Sequence, residues 1–303
     1  MILHIADITI AFNCTLTLPV LWIKSRLFEE CIEMEGEICL KLLEFYKDFW
    51  TRGTPQLDDS WIEDYMSNQQ IEMVPHVQNS LGLIDYRDFS RSRRLQTILL
   101  PSPHHINPHF SPFSKSAAPA TPLNTFILQA INQARTSIYI QTPNLTSRPL
   151  TRTLISALKR GVSITIITSQ NLMILEQLVT AFTTTSIELW KLRRAGCRLH
   201  SYYLTTTTND PEAQHPKPGD LWLQYYTPRV YGGGGQEEPV KSHLKLLIVD
   251  DEIAVLGSGN MDRASWFTSQ ELGVAVVDGE FAKAVGECTH SGLKDRVHWV
   301  LNT

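Results

Sequence analysis

The second part of this 303-residue chain predicts an α/β fold, a mixed central β-sheet flanked by helices on both faces. Three observations carry that expectation. Between Ile138 and Leu204, short apolar runs alternate with amphipathic stretches, an order that lays helices over a sheet. Leu246–Val249, Ile253–Leu256 and Leu272–Val277 are nearly unbroken apolar runs, as strands covered on both faces should be. Apolar residues make up 43% of the chain, enough at this length for a large core.

Taken in order, Ile2 to Ile23 is mildly apolar, but Asp7 interrupts it and no basic residue precedes it. It reads as neither a signal peptide nor a membrane span, and no other stretch is long and apolar enough to cross a bilayer. Leu27, Cys31, Ile32, Cys39, Leu40, Leu43 and Tyr46 recur at roughly helical spacing and predict a helix over 27–50. Residues 51–122 lack a periodic pattern and include Pro101, Pro103, Pro108, Pro112, Pro119 and Pro122, so they read as a long connection. His104, His105 and His109 lie inside it, with no Cys, Asp or Glu near enough to complete a metal set, so no metal is expected.

Ile138–Gln141 is the first strand of the regular part. Ser147 is placed to cap the next helix, with Pro149 in its first turn. Leu150, Leu154, Ile155 and Leu158 line one face of that helix, and Gly161 stops it. Val162–Thr168 predicts a strand, 171 to about 194 a helix weakened by Thr183–Thr185, and Leu199–Leu204 a further strand. Thr205–Pro218 reads as a polar insertion, and Gly232–Gly235 with Gln236–Pro239 as a mobile loop that lacks the layout of a nucleotide-phosphate loop.

The stretch His243–Asn260, HLKLLIVDDEIAVLGSGN, carries the chemistry. It satisfies His-x-Lys-x4-Asp-x6-Gly-Ser-x-Asn at every fixed position. His243 and Lys245 are two apart on an apparent strand and so share a face. Asp250, Asp251 and Glu252 make a polar turn, and the next strand ends at Gly257-Ser258-Gly259-Asn260. Two adjacent strands can therefore present an imidazole, an ammonium, a hydroxyl and an amide at one end. That set suits a phosphate ester. Lys and amide donors stabilise charge on non-bridging oxygens, and an imidazole serves as nucleophile or general acid near neutral pH. The spacing sets Asp250 at the far end from His243, as a hydrogen-bonding residue of the turn.

These residues resemble the signature of the phospholipase D superfamily, and the resemblance is most specific over Ile138 to Val277. IQTPNLTSRPLTRTLISALKRGVSITIITSQN looks like the segment that precedes the second motif in fungal members, with Asn144 at a strand end near the site. The superfamily uses two motifs per active site. One histidine attacks phosphorus to form a phosphohistidine, and the other protonates the leaving group and then activates water or an alcohol. The resemblance implies that His243 is the acid–base partner, and that Lys245, Ser258 and Asn260 hold phosphate oxygens. It further implies that Glu271 orients His243, that Gly257 and Asp250 are structural, and that Asp262 and Arg263 form an ion pair or hydrogen-bond network. Trp266 and Phe267 fit burial better than a site mouth. No cofactor is implied.

Only one complete motif stands in the sequence. His215-Pro216-Lys217 echoes its start, but the aspartate position falls on Trp222. Glu33-Met34-Glu35-Gly36 and the helix expected after it resemble the segment that follows the first motif, so residues 1–50 look like a remnant of a first repeat. The expected layout is an incomplete N-terminal repeat at 1–50, the connection at 51–122, and a phospholipase D-like domain at 123–303. Three functional expectations stay open: a phosphodiesterase or phosphatidyltransferase acting on phospholipid, a homodimer that completes the site as single-motif nuclease-like members do, and a non-catalytic binder of phosphate esters or lipid headgroups. A net charge of −4 gives no general attraction to nucleic acid or to an anionic membrane, and as to substrate it only tilts away from nucleic acid. Five cysteines without a CxxC read as free thiols in a reducing, cytoplasmic compartment, with at most peripheral membrane association.

Overall fold

The computed structural model describes residues 2–5, 8–12, 27–28, 31–34, 38, 41–42, 44–45, 95–103, 118–209, 216–230 and 240–302. Its centre is an eight-stranded mixed sheet in the order β13-β8-β7-β6-β10-β11-β12-β5. The strands are β5 (Gln96–Ser102), β6 (Ser137–Thr142), β7 (Ser163–Ser169), β8 (Leu221–Tyr226), β10 (Leu246–Val249), β11 (Ile253–Gly257), β12 (Glu271–Val277) and β13 (Val297–Asn302). β6, β7 and β8 run parallel, joined by helical crossovers. From β6 outward, β10, β11, β12 and β5 are antiparallel.

The two sheet faces are legible in the alternation of the motif strands. Leu247 and Val249 join the larger core with Ile140, Ile166, Val255 and Ala275. α1 (Pro122–Gln133), α2 (Arg148–Lys159) and α4 (Thr185–Asn209) cover that face through Ile127, Leu154 and Leu189. Leu246 and Ile248 turn the other way, against Phe281 and Ala282 of α6 (Gly279–Gly292). Helices therefore lie on both faces, as the sequence predicts. Two further helices, α3 (Ile174–Ala181) and α5 (Arg263–Phe267), pack together near the end of the sheet that carries the motif.

α1 was not foreseen, although Thr121-Pro122 marks its start. Thr121 Oγ1 accepts from Asn124 N at 3.3 Å, and Pro122 occupies the first turn. β5 also arises inside the expected connection, as the edge partner of β12. Ser147 does precede α2, but its hydroxyl makes no capping hydrogen bond. Gly161 follows that helix with φ 94°, a left-handed conformation that suits glycine.

Three sequence expectations are corrected. The strand expected over Leu199–Leu204 lies inside α4, which runs on to Asn209 and takes the start of the expected polar insertion with it. Leu189, Leu192 and Gly196 bury one face of that helix, and this tertiary contact overrides the strand preference of the Tyr and Thr residues downstream. The single helix expected from 171 is two helices, α3 and α4, broken at Phe182, which has φ 52°. The helix expected over 27–50 begins as strands β3 (Leu27–Phe28) and β4 (Cys31–Met34), with helical backbone among the described residues only from Ile38. β4 pairs with β2 (Ile8–Phe12), and β2 with β1 (Ile2–Ile5), while β3 pairs with β9 (Lys241–Ser242) just before the motif. Backbone pairing with distant strands decides these residues, which periodicity cannot report. His104, His105, His109 and the glycine run at Gly232–Gly235 lie outside the described residues.

Candidate active site

The motif collects at the end of the sheet where β6 and β7 finish and β10 and β12 begin. His243 and Lys245 occupy the short segment between β9 and β10. The sequence placed them on a strand; they sit just before one, and their side chains still meet. Lys245 Nζ lies 2.8 Å from His243 Nδ1 and 3.1 Å from Nε2. A neutral imidazole has one unprotonated nitrogen, so only one of these contacts can take an ammonium proton at a time. Lys245 is buried while His243 is half-buried, so the ring reaches further toward solvent than the ammonium beside it.

β11 delivers the second half of the motif. Gly257 pairs with Gly273 of β12, and a Cβ on Gly257 would stand 2.8 Å from Leu272 O, so the two backbones meet where no side chain fits. The next residue, Ser258, is buried. Its hydroxyl donates to Glu271 Oε2 at 2.5 Å and accepts from Leu272 N at 3.0 Å. The one proton of Ser258 is thus committed to Glu271, which Ser265 also hydrogen-bonds. Asn260 donates its amide to Asp262 Oδ2 at 3.3 Å and its backbone N–H to Ser265 Oγ at 3.0 Å. Asn260 Oδ1 is buried with no hydrogen-bond partner among the described residues.

Asp262 caps α5, accepting from Ser265 N at 2.8 Å. It forms no ion pair with Arg263. That guanidinium lies 4.2 Å from the Phe267 ring centroid, and the Arg263 backbone donates to Thr146 Oγ1. Trp266 and Phe267 are buried in the core. Burial pushes the Asp262 carboxyl above its usual range, against hydrogen bonds from Ser265, Asn260 and Asn144. Burial also raises Glu271, against hydrogen bonds from Ser258 and Ser265, with Asp262 adding to the rise and Lys245 opposing it. Ser265 is the hub that spacing did not reveal, since its hydroxyl can serve either carboxylate. Its only sequence signal is its place three residues after the cap.

Asp250 stands at the opposite end of β10, as its spacing implies. Its carboxylate accepts from the backbone N–H groups of Arg135, Thr136 and Ser137 at 2.8–3.2 Å and from the Thr136 hydroxyl at 2.8 Å. Burial raises its pKa, but those hydrogen bonds outweigh it and hold the carboxyl below its ordinary value. Asn144 is buried behind the site, its amide 2.8 Å from that of Gln177. No group of three or more His, Cys, Asp or Glu side chains among the described residues could hold a metal ion.

Fold and site together define an α/β protein whose sheet end gathers a histidine, a lysine and two buried carboxylates. The family described as cardiolipin synthase, PLD-like domain, matches residues 127–288, just over half of the chain. The chain belongs to the phospholipase D superfamily. It is 29% identical over 176 residues to the minor cardiolipin synthase ClsB of Bacillus subtilis, a match over 57% of this chain and 34% of that protein. It is 38% identical over 86 residues to phospholipase D zeta 2 of Arabidopsis thaliana, over 26% of this chain and 8% of that protein. The matched segment thus spans about a third of the first relative and under a tenth of the second. Among solved structures, the phospholipase D family member Nuc from Salmonella typhimurium aligns with 68% of this chain and 98% of its own, at 18% identity and a TM-score of 0.40. Among the described residues, no helix is long and apolar enough to cross a membrane.

Proposed function

We propose that this chain is a phospholipase D-type phosphodiesterase or phosphatidyltransferase that acts on phospholipid through His243. The observation that carries the reading is the Lys245 ammonium held 2.8 Å from the His243 ring at the sheet end. A phosphodiester entering there gives the ammonium a better acceptor than a neutral imidazole. Lys245 then stabilises charge on the non-bridging oxygens, and the freed ring nitrogen can exchange a proton with the ester oxygen. His243 takes the acid–base part. A second histidine, from another copy of the chain or from a further segment of a longer protein, attacks phosphorus. The names of the cardiolipin synthase and phospholipase D relatives support a phospholipid as the ester.

The test is hydrolysis of a chromogenic phosphodiester across a range of protein concentrations, with His243→Ala as control. Activity that rises more steeply than linearly and vanishes in the variant is the expected result, and it assigns the second histidine to a second copy. A second reading, a non-catalytic headgroup binder, is favoured by the commitment of Ser258 to Glu271 and of the Asn260 amide to Asp262. Headgroup binding that weakens in Lys245→Ala, without turnover at any concentration, would decide for it.

A further inference from the structure

α3 turns most of its apolar side chains to solvent. Leu175 is 80% exposed, Val179 62% and Phe182 55%. Ile174 and Leu178 are exposed beside them, while Gln177 and Ala181 are buried. Left-handed residues bracket the helix, Met173 with φ 53° and Phe182 with φ 52°. α4 continues the surface with Ile187 and with Trp190, which is 53% exposed. This is no remote patch. The Gln177 amide meets that of Asn144 behind the site, and α3 packs on α5, whose cap is Asp262.

The charge around the patch is what identifies its occupant. The chain is acidic overall at −4, yet Lys191, Arg193, Arg194 and Arg198 crowd one stretch of α4. Ile187, Trp190, Lys191, Arg194 and Arg198 share one helix face by their spacing. The acidic residue in that stretch, Glu188, is buried and bound to Lys191 at 2.6 Å and to Thr183. Arg194 lies 5.4 Å from the Trp190 ring centroid, and neither it nor Arg198 has a carboxylate partner among the described residues. A second copy seated on this face would crowd two sets of these arginines into one interface, where like charges repel. Anionic headgroups neutralise them, while the acyl boundary accepts Leu175, Val179, Phe182 and Trp190.

We propose that α3 and the start of α4 form a docking surface for an anionic lipid bilayer, which brings the motif end of the sheet to the membrane surface. The inference deepens the phospholipid reading and rests on it for the choice of a lipid surface. The test is co-sedimentation of the full chain with vesicles of phosphatidylcholine alone and of phosphatidylcholine mixed with phosphatidylglycerol. The expected result is binding to the mixed vesicles, and weaker binding to the neutral ones. The exposed triple variant Leu175→Ser, Val179→Ser, Phe182→Ser should weaken binding at least about tenfold. Arg194→Glu with Arg198→Glu should weaken binding to the anionic vesicles on the order of 100-fold and remove the preference for them. Both variants should keep the parent's hydrolysis of a soluble phosphodiester, and His243→Ala should keep the parent's vesicle binding.

The proposal is overturned if the parent ignores both vesicles, or if the triple variant sediments like the parent. A dimer in analytical ultracentrifugation that the triple variant dissolves, with no vesicle binding by the parent, would assign the face to a second copy. Loss of the functional reading is a separate event. Vesicle binding through this face by a parent that hydrolyses nothing would leave the docking surface standing and remove the enzyme.

Discussion

Ser258 donates its hydroxyl proton to Glu271 across 2.5 Å and accepts from Leu272 N at 3.0 Å, tying the end of β11 to the start of β12. Replacing Ser258 with Ala leaves a buried backbone N–H and a buried carboxylate each short of a partner. Each orphan costs about 1–3 kcal/mol. Ser258→Ala should therefore lower stability by about 3 kcal/mol, read as a shift in the urea midpoint at unchanged slope. A near-neutral result would show that the hydroxyl is dispensable to this junction.

Glu271 and Asp262 make stability fall as pH rises. Both carboxyls are pushed up, first of all by burial, so the folded chain holds their protons more tightly than the unfolded chain. Between the unfolded and folded pKa values the native state binds more protons, and the slope of stability against pH is negative there. For Glu271 the window opens at its ordinary value near 4.5 and closes at the higher folded value. Glu271→Gln, which can still accept from Ser258, should flatten the decline. Adding Asp262→Asn should flatten it further. Denaturant titrations across pH 4 to 8 (about the carboxylate-to-neutral range) make the comparison, and an unaltered slope in Glu271→Gln would count against a raised carboxyl.

Lys245→Met keeps much of the apolar stem and removes the ammonium beside His243. Loss of one preorganised donor to a developing phosphoryl charge typically costs on the order of 100- to 1,000-fold in kcat. The variant should show that loss in phosphodiester turnover while folding normally. A drop confined to KM would instead place Lys245 in ground-state binding.

How far the sequence reaches can be seen in these same residues. The motif was legible because its spacing is local: His243 and Lys245 are two residues apart, and they meet even though they lie outside the strand expected for them. The unbroken apolar run Leu246 to Val249 marked a strand covered on both faces, as it is. Ser258–Glu271 was not legible, because it depends on the register Gly257↔Gly273 between two strands. Resemblance alone paired Glu271 with the histidine; the register is what brings it to the serine. β8 was missed because Leu221–Tyr226 follows a polar stretch and has no neighbouring pattern to frame it. The Leu199–Leu204 strand failed because the strand preference of Tyr202 and Tyr203 is weak beside the burial of Leu189 and Leu192.

Asp250 was placed in its turn by sequence, but its partners, 113 to 115 residues away, come from the pairing of β10 with β6. Asp250→Ala strips acceptors from three backbone N–H groups at once. Water reaches part of that site and will replace some of them, so the expected loss is about 2 kcal/mol. The contribution is present above the carboxyl's ordinary value and fades as pH falls through the lowered folded value. Parent and variant should therefore draw closer in stability toward low pH, short of the fixed cost of Ala at the left-handed backbone of Asp250 (φ 55°), and an unchanged gap would point to that backbone or to packing.

The glycine pair at the mouth of the site yields a prediction with an internal control. A Cβ on Gly257 would stand 2.8 Å from Leu272 O and 3.0 Å from Gly273 Cα, both backbone atoms that cannot turn aside. A Cβ on Gly273 would stand 2.6 Å from Leu123 Cδ1, the end of a side chain on α1. Gly257→Ala must therefore spread β11 from β12, while Gly273→Ala need only displace one leucine. Overpacking of this kind costs about 1–3 kcal/mol, and Gly257→Ala should be the more damaging of the two. Leu123→Ala should recover part of the loss in Gly273→Ala and none of that in Gly257→Ala. A double-mutant cycle reads this as a favourable coupling of about 1 kcal/mol for the Gly273 pair. Equal coupling for both glycines would mean that α1, and not the meeting of the two strand backbones, sets the space at Gly257.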